Sequence, residues 1–299
     1  MESANANPVT AIHRLNRKHG IMRASIDVLT PFLTIVIALF CTDTWPILAV
    51  PAALLIGTRY RHINNLIHWA SHSSLCQNSK FNNFLGEVLC GSILFDFSKY
   101  RAEHYTHHRH IGDYTQDEDF KNIEDFLIGK SLSLRKRLSI IFRFRLLSAY
   151  SPKMKFDSKS QTFGFLFYSS IIIGLFVFSP ISAITLISGL FIIYPFIRHL
   201  TDLVDHGGLY ENTNPVYQSR NFIIENKLAR WLFFPTNDCF HKIHHDYPFL
   251  SPWAQEDVHD YLLLKDAEYA SIKHSWIDHI DSLLSQRPIH SLLTKESAS

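Results

Sequence analysis

Cysteine is scarce in this sequence, and its spacing argues against two common uses of the residue. The four cysteines are Cys41, Cys76, Cys90 and Cys239, and no two of them form a C-x2-C pair or a regular series. Disulfide frameworks and thiolate zinc sites both depend on such spacings, so we expect neither here. Cys41 and Cys90 lie in apolar runs, where a thiol packs as a small hydrophobic side chain.

The sequence also has little excess charge of either sign: its net charge is +2 with the histidines neutral. This balance gives no basis for a nucleic-acid partner, and we predict none. The N-terminal segment is polar and then basic, without a short apolar core and a small-residue cleavage site, so we expect no cleaved secretory signal. No linker divides the 299 residues, which predicts a single domain over 1–299.

Two long segments are nearly free of charge: residues 28–58 contain only Asp43, and residues 160–197 contain no charged residue. Each exceeds the roughly 20 residues of one membrane crossing, and each is interrupted near its middle by turn-forming residues. We predict an all-α integral membrane protein with four transmembrane helices in two hairpins, at about 26–58 and 161–197. A buried hairpin in a soluble core is the alternative, but such hairpins use shorter apolar runs.

The positions of lysine and arginine predict the orientation of these hairpins. The turns at 42–46 and 179–180 contain neither residue, whereas a dense basic run lies at 135–145, between the hairpins. Both termini and the central region are therefore expected to be cytoplasmic. Residues 60–160 and 198–299 would then form a cytosolic helical cap. The segment Phe84–Phe97 is apolar but too short to span, and we expect it at the membrane interface.

Eight of the 18 histidines fall into three clusters with repeated spacing, H-x3-H once and H-x2-H-H twice. Residues three or four apart share one face of an α-helix, so each cluster is predicted to point its imidazoles in one direction. A structural zinc takes about four ligands, so eight imidazoles indicate two metal ions. Neutral imidazole without sulfur suits iron, zinc, copper or nickel. The eight residues are His68, His72, His104, His107, His108, His241, His244 and His245.

The location of the clusters beside a membrane suggests the substrate and the metal. All three clusters fall in the segments that are expected to be cytoplasmic, next to the ends of the hairpins. A lipid-like substrate is then expected, and oxidation of its unactivated C–H bonds would require an oxidised metal. Iron is preferred on that ground.

The three clusters resemble the histidine boxes of the membrane fatty acid desaturase and hydroxylase superfamily. The first box continues as Ser-Ser-Leu after His72, the second is followed by acidic residues at 117–119, and the third ends at Pro248. The order of the boxes relative to the hairpins also matches, and the resemblance covers roughly residues 20–260. It implies a cytosolic cap that carries the boxes, two non-haem iron ions as cofactor and O2 as co-substrate.

The resemblance also implies a ninth ligand, His206, in the sequence Asp205-His206-Gly-Gly, where the family commonly has glutamate in place of Asp205. Asp202 lies one turn before His206, and together with Asp205 and Asp238 it is expected to orient a ligand imidazole or a metal-bound water. Other carboxylates near the boxes are candidate hydrogen-bond acceptors for imidazoles or, equally, helix caps and turn residues: Asp96, Glu103, Asp113, Asp117, Asp119 and Asp246.

Three further histidines stand near the boxes. His62 and His110 are six residues from their clusters, which turns each of them about 240° from the cluster's face, so surface or supporting roles are expected. His199 lies two turns before His206, and ligation by it remains open.

We therefore predict an O2-dependent di-iron desaturase that introduces a double bond into a fatty acyl or similarly hydrophobic chain, with no catalytic residue beyond the metal ligands. Hydroxylation, ketolation and oxidative decarboxylation on the same scaffold are the alternatives.

The sequence has no H-P-G-G haem motif, flavin motif or ferredoxin cysteine set, so an external electron donor of the ferredoxin, rubredoxin or cytochrome type is implied. A histidine-rich membrane metal carrier is the alternative from another class, but transporters place their ligands inside membrane helices, and these hairpins are almost free of ionisable groups.

Overall fold

The computed structural model describes residues 8–111, 113, 115–117, 135, 158–206, 209 and 218–279. Within these ranges the chain is helical, and β-pairing is limited to two isolated bridges. The all-α prediction is confirmed. The basic run at 135–145 apart from Arg135, the acidic residue Asp119, and the two glycines after His206 lie outside the described residues.

The first hairpin consists of two long helices. After a short helix α1 (Pro8–Leu15), α2 covers Ile21–Thr44 and α3 covers Ala49–Ser71, with a 3-10 turn at Pro46–Leu48 between them. The predicted turn at 42–46 overlaps the observed break at Trp45 and Pro46, because α2 continues through Thr44. Helix α3 continues well beyond residue 58, so its second half carries the first histidine box out of the apolar segment.

Helices α4 (Ser79–Ser92) and α5 (Phe97–Arg109) follow, and both begin at a side-chain cap. The Asn78 carboxamide oxygen accepts from the backbone N–H of Phe81, and the Asp96 carboxylate accepts from that of Lys99. Such caps satisfy N–H groups that have no partner within the helix. Asp96 is therefore a helix cap, which is one of the two roles that the sequence left open for it.

The second hairpin consists of α6 (Lys159–Phe178) and α7 (Pro180–His206), which meet at Ser179. Helix α7 contains one π-helical turn at Gly189–Ile193. Helix α6 packs closely against α4, because a Cβ added to Gly164 would lie 1.9 Å from the carbonyl oxygen of Gly91. Only glycine allows this approach, and the contact fixes α6 against the helix that precedes the second box.

Three helices of the described chain are long and apolar enough to cross a membrane: α2, α6 and α7. Helix α2 exposes an apolar face that includes Leu29, Leu33 and Phe40, as expected for a surface in contact with lipid. Helix α3 has 23 residues, but its second half contains buried Arg59, Arg61 and several polar groups. Three of the four predicted crossings are thus present by length and composition.

The remaining helices are short. They are α8 (Lys227–Phe233), α9 (His241–Asp246), α10 (Gln255–Lys265) and α11 (Ala267–Ser271), with 3-10 turns at Pro235–Phe240 and Pro252–Ala254. Helices α9, α10 and α11 share a hydrophobic cluster with Ile12 of α1, and this cluster is separate from the one formed by the long helices. The histidine boxes lie where these two parts meet, at the ends of α3 and α7 and on α5 and α9.

Candidate metal centre

The nine predicted histidines come together, although they are spread over 178 positions of the sequence from His68 to His245. Helix α3 supplies His68, and His72 follows at its C-terminal cap; α5, the last residue of α7, and α9 supply the others. The ring nitrogens form two adjacent groups.

The first group contains His68, His72, His104, His108 and His244, with one nitrogen of each ring within 4.8 Å of all the others. Its shortest separations join Nε2 atoms: 2.7 Å between His68 and His244, and 2.8 Å both between His72 and His104 and between His108 and His244. Three different helices and the cap of α3 therefore aim their imidazoles at one point.

The second group contains His107, His206 and His245, again with ring nitrogens within 4.8 Å of one another. His241 joins this group, because its Nε2 lies 2.7 Å from Nε2 of His206 and 3.0 Å from Nε2 of His245. The nine residues thus divide into five and four.

Each H-x2-H-H box serves both groups. In the second box, His104 and His108 belong to the first group and His107 to the second. In the third box, His241 and His245 belong to the second group and His244 to the first. Residues at i and i+4 stay together, and the residue at i+3 turns to the neighbouring group. The prediction that each cluster points in one direction is therefore wrong in detail. Three residues turn an α-helix by about 300° and four residues by about 400°, so the side chains at i+3 and i+4 point in directions about 100° apart and reach different groups.

The protonation pattern of the second group fits metal ligation. The carbonyl of Gln218 lies 3.0 Å from Nδ1 of His206 and can only accept, so the proton of His206 is on Nδ1. Nδ1 of His107 lies 3.0 Å from the Asp117 carboxylate, which also accepts. Both rings then direct an Nε2 lone pair inward. Two nitrogens bound to one ion at roughly 2.1 Å are roughly 3 Å apart. The Nε2 atom of His241 lies at such distances from Nε2 of His206 and of His245, 2.7 Å and 3.0 Å.

Burial keeps the imidazoles neutral, which is the form that binds a metal. It lowers the pKa of His72 to about 4, with a further contribution from Arg101, and that of His108 to about 2 with contributions from neighbouring histidines. The same desolvation lowers the pKa values of His104, His244 and His245 well below the usual histidine value. At neutral pH the centre therefore presents lone pairs rather than charges.

Two buried carboxylates face the outer nitrogens of the ligand rings. Asp238 has an oxygen 3.9 Å from Nδ1 of His68, and Asp205 has one 3.8 Å from Nδ1 of His241. Nη2 of Arg61 donates a hydrogen bond to the other oxygen of Asp238. The third predicted carboxylate, Asp202, forms an ion pair of 3.8 Å with Arg198, one turn away on α7.

Sequence reasoning missed two partners of the centre and did not single out a third. The first is Arg61, because only the structure shows that this arginine is buried and therefore needs a carboxylate partner. The carbonyl of Gln218 has no sequence signal. The third is Asp117, which among the described members of the candidate carboxylates is the one bonded to a box histidine, His107. Among the others, Asp113 bonds to Thr115 in its own turn.

The three neighbouring histidines lie outside both groups. His62 is buried in α3, His110 follows α5, and His199 is buried in α7. The structure thus excludes His199 from the two clusters of ring nitrogens, although its spacing from His206 is two helical turns.

Comparison with known proteins agrees with this arrangement. The family profile described as fatty acid desaturase matches residues 44–276. A dihydrorhizobitoxine desaturase from Bradyrhizobium elkanii is 26% identical over 272 residues, which cover 80% of this chain and 74% of that protein. A chloroplastic omega-3 fatty acid desaturase from Glycine max is 24% identical over 189 residues, which cover 56% of this chain and 42% of that protein. Because the profile spans most of the sequence, the chain belongs to the fatty acid desaturase family and is a membrane oxidoreductase.

Proposed function

We propose that this protein is an O2-dependent, non-haem di-iron desaturase that introduces a double bond into a fatty acyl or similarly hydrophobic chain. The observation that carries the proposal is the division of nine imidazoles into two adjacent groups of five and four. The proposed ligands are His68, His72, His104, His108 and His244 for one iron, and His107, His206, His241 and His245 for the other.

An apolar cavity of 630 Å³ supports a hydrophobic substrate. It lies between α3, α7 and α8, and its wall includes Leu54, Ile197, Thr201 and Phe233. Thr201 is five residues before His206 on the same helix, a distance of about 7.5 Å along its axis. The cavity therefore approaches the second histidine group from the side of the apolar helices, where an alkyl chain would enter from lipid.

The residues of this chain hold the ligand imidazoles in place and position the substrate. Two bound iron ions would supply the oxidising power to remove two hydrogens from adjacent carbons. Asp117 and the carbonyl of Gln218 hold the protons of His107 and His206 on Nδ1, so that both Nε2 atoms stay available. The walls of the cavity exclude water and hold one segment of the chain near the ligands, and this placement selects the carbons that react.

We further propose four membrane crossings, with α3 as the fourth. Its 23 residues have a length of about 34 Å, which is enough to span the hydrocarbon core. The turns at 42–46 and 179–180 contain no lysine or arginine, which favours a cytoplasmic location for the boxes and both termini, at the opposite ends of the helices. The electrons would come from a separate ferredoxin, rubredoxin or cytochrome-type donor that reaches the centre from that side.

Expression in a lipid-producing host, with mass spectrometry of all lipids and small metabolites, tests the proposal. A new product lighter by two hydrogens supports desaturation, whereas a product that has gained oxygen or lost a carboxyl group assigns the same centre to hydroxylation or decarboxylation. The search includes small metabolites because one relative carries the name of a dihydrorhizobitoxine desaturase.

Metal analysis of the pure protein is expected to find about two irons per chain, and a single stoichiometric zinc would contradict the proposal.

A further inference from the structure

The helix of the third box has no capping side chain of its own. Helix α9 has six residues, and its N-cap is Phe240, which makes no side-chain hydrogen bond. Its first backbone N–H groups need acceptors nonetheless, because they are buried and have no partner within the helix. A side chain from elsewhere in the sequence supplies one.

That side chain is Asn221. Its Oδ1 accepts from the backbone N–H of Lys242 at 3.0 Å and of Ile243 at 3.4 Å. These two residues lie between His241 and His244, so the contact holds the turn of α9 from which ligands of both groups project. Asn221 is fully buried.

The amide of Asn221 is itself fixed by a closed network. Its Nδ2 donates to the hydroxyl of Tyr269 at 2.7 Å and to Nδ1 of His274 at 3.0 Å. The Tyr269 hydroxyl donates to Nδ1 of His259 at 2.7 Å, and Nε2 of His274 donates to the Tyr269 carbonyl at 3.0 Å. Burial lowers the pKa of His259 to about 4, so this ring is neutral and its Nδ1 can accept. One assignment of protons satisfies every one of these contacts, and it leaves Oδ1 of Asn221 facing α9.

The backbone around Asn221 ties α9 to α7. The carbonyl of Gln218 accepts from His206, the N–H of Arg220 donates to the carbonyl of Asp205 at 3.2 Å, and the N–H of Phe222 donates to the carbonyl of Cys239 at 2.7 Å. Residues 218–222 therefore contact the end of α7 and the start of the third box at the same time. The distance between His206 and His241 depends on this segment.

We propose that Asn221 is a positioning residue of the metal centre, held by Tyr269, His259 and His274, and that this network sets the orientation of α9 relative to His206. Its connection with catalysis rests on the proposed di-iron function. The second group depends on the network most, because three of its four histidines lie on α9 or at the end of α7, whereas α9 gives the first group only His244.

Two variants of the full-length protein test the network. Asn221→Ala removes the acceptor for α9, and Tyr269→Phe removes one hydroxyl while it retains the ring. Asn78→Ala is the matched control, because Asn78 also caps a helix, α4, away from the centre. Should Asn221→Ala not fold, Tyr269→Phe decides alone.

The first measurement is amide hydrogen exchange of the metal-free protein. We expect faster exchange at Lys242 and Ile243 in both network variants and unchanged exchange there in Asn78→Ala. Unchanged exchange at these two amides, or acceleration spread equally over the long helices, would overturn the inference. This readout does not depend on any metal.

The second measurement is titration with cobalt(II), followed by its visible absorption bands. We expect the wild-type protein to bind about two equivalents, and Asn221→Ala to bind one of them about 10- to 100-fold more weakly with altered bands. Affinities and bands equal to those of the wild type would overturn the positioning role. A wild-type protein that binds no cobalt would instead refute the metal centre, while the exchange measurement still decides whether the network holds α9.

Discussion

Arg61 and Asp238 form a buried ion pair between residues 177 positions apart in the sequence. Both side chains are nearly inaccessible, and Asp238 uses its other oxygen to face the ring of His68. The pair thereby joins α3, which carries the first histidine box, to the turn that leads into the third box.

Replacement of Asp238 by asparagine is expected to lower the free energy of unfolding by about 3 kcal/mol, because it leaves the buried charge of Arg61 without its main partner. Thermal unfolding in detergent measures this loss. Lys99→Gln is the control, since it removes an exposed pair with Glu103 and should change the stability by less than about 1 kcal/mol. Equal stability of Asp238→Asn and the wild type would contradict the role of the pair.

Substitution of one ligand from each histidine group tests the metal assignment. His244→Ala in the first group and His107→Ala in the second should each abolish activity and reduce the iron content, while membrane insertion is retained. His110→Ala is the control, because His110 follows the second box but lies outside both groups. Iron analysis and product formation are the measurements, and full activity in either ligand variant would refute the assignment.

Iron retention should be nearly constant from pH 7.5 to pH 6 and should fall as the pH approaches about 4. The folded-state pKa of His72 is about 4, below the value of about 6.5 in an unfolded chain. The unfolded chain therefore binds more protons between these values, and the stability of the metal-free protein falls as the pH decreases through this range. Iron content after dialysis at each pH gives the curve. A midpoint near pH 6.5 would show ordinary, solvent-exposed imidazoles instead.

Filling the apolar cavity should shorten the chain that the enzyme accepts. Ile197→Trp adds an indole to the cavity wall, whereas Ile192→Trp adds one to an exposed position of the same helix. We expect the first variant to lose activity on its longest substrates at least tenfold and the second to retain the wild-type profile. Product profiles from a mixture of chain lengths provide the test, and identical profiles would exclude this cavity as the substrate site.

Gly164→Ala should destabilise the protein by about 1–3 kcal/mol, because the new methyl group would collide with the backbone of Gly91. Gly174→Ala on the same helix meets no atom within 4 Å and should be neutral or slightly stabilising. The difference in melting temperature between the two variants measures the close contact of α4 and α6. Two equal melting temperatures would show that these helices can separate at little cost.

The sequence predicted the helical class, the two interhelical turns and the membership of all nine histidines in one cluster. Periodicity is local information, and these features depend on it. Helical geometry alone separates His107 and His244 from their box neighbours, but the group that each of them joins could not be predicted, because it depends on how α5 and α9 rotate against α3. The same is true of Gln218, whose backbone carbonyl carries no residue-specific signal, and of Asn221, which caps a helix 20 residues away.

The division of the ligands also fixes an order of assembly. His68 meets His244, and His107 meets His245, so neither group is complete until the chain has been synthesised past the third box. By then both hairpins have left the ribosome. On the proposed di-iron assignment, metal loading would follow the synthesis of the third box, and a chain truncated before residue 241 is expected to lack three of the nine ligands and with them the ability to hold two ions.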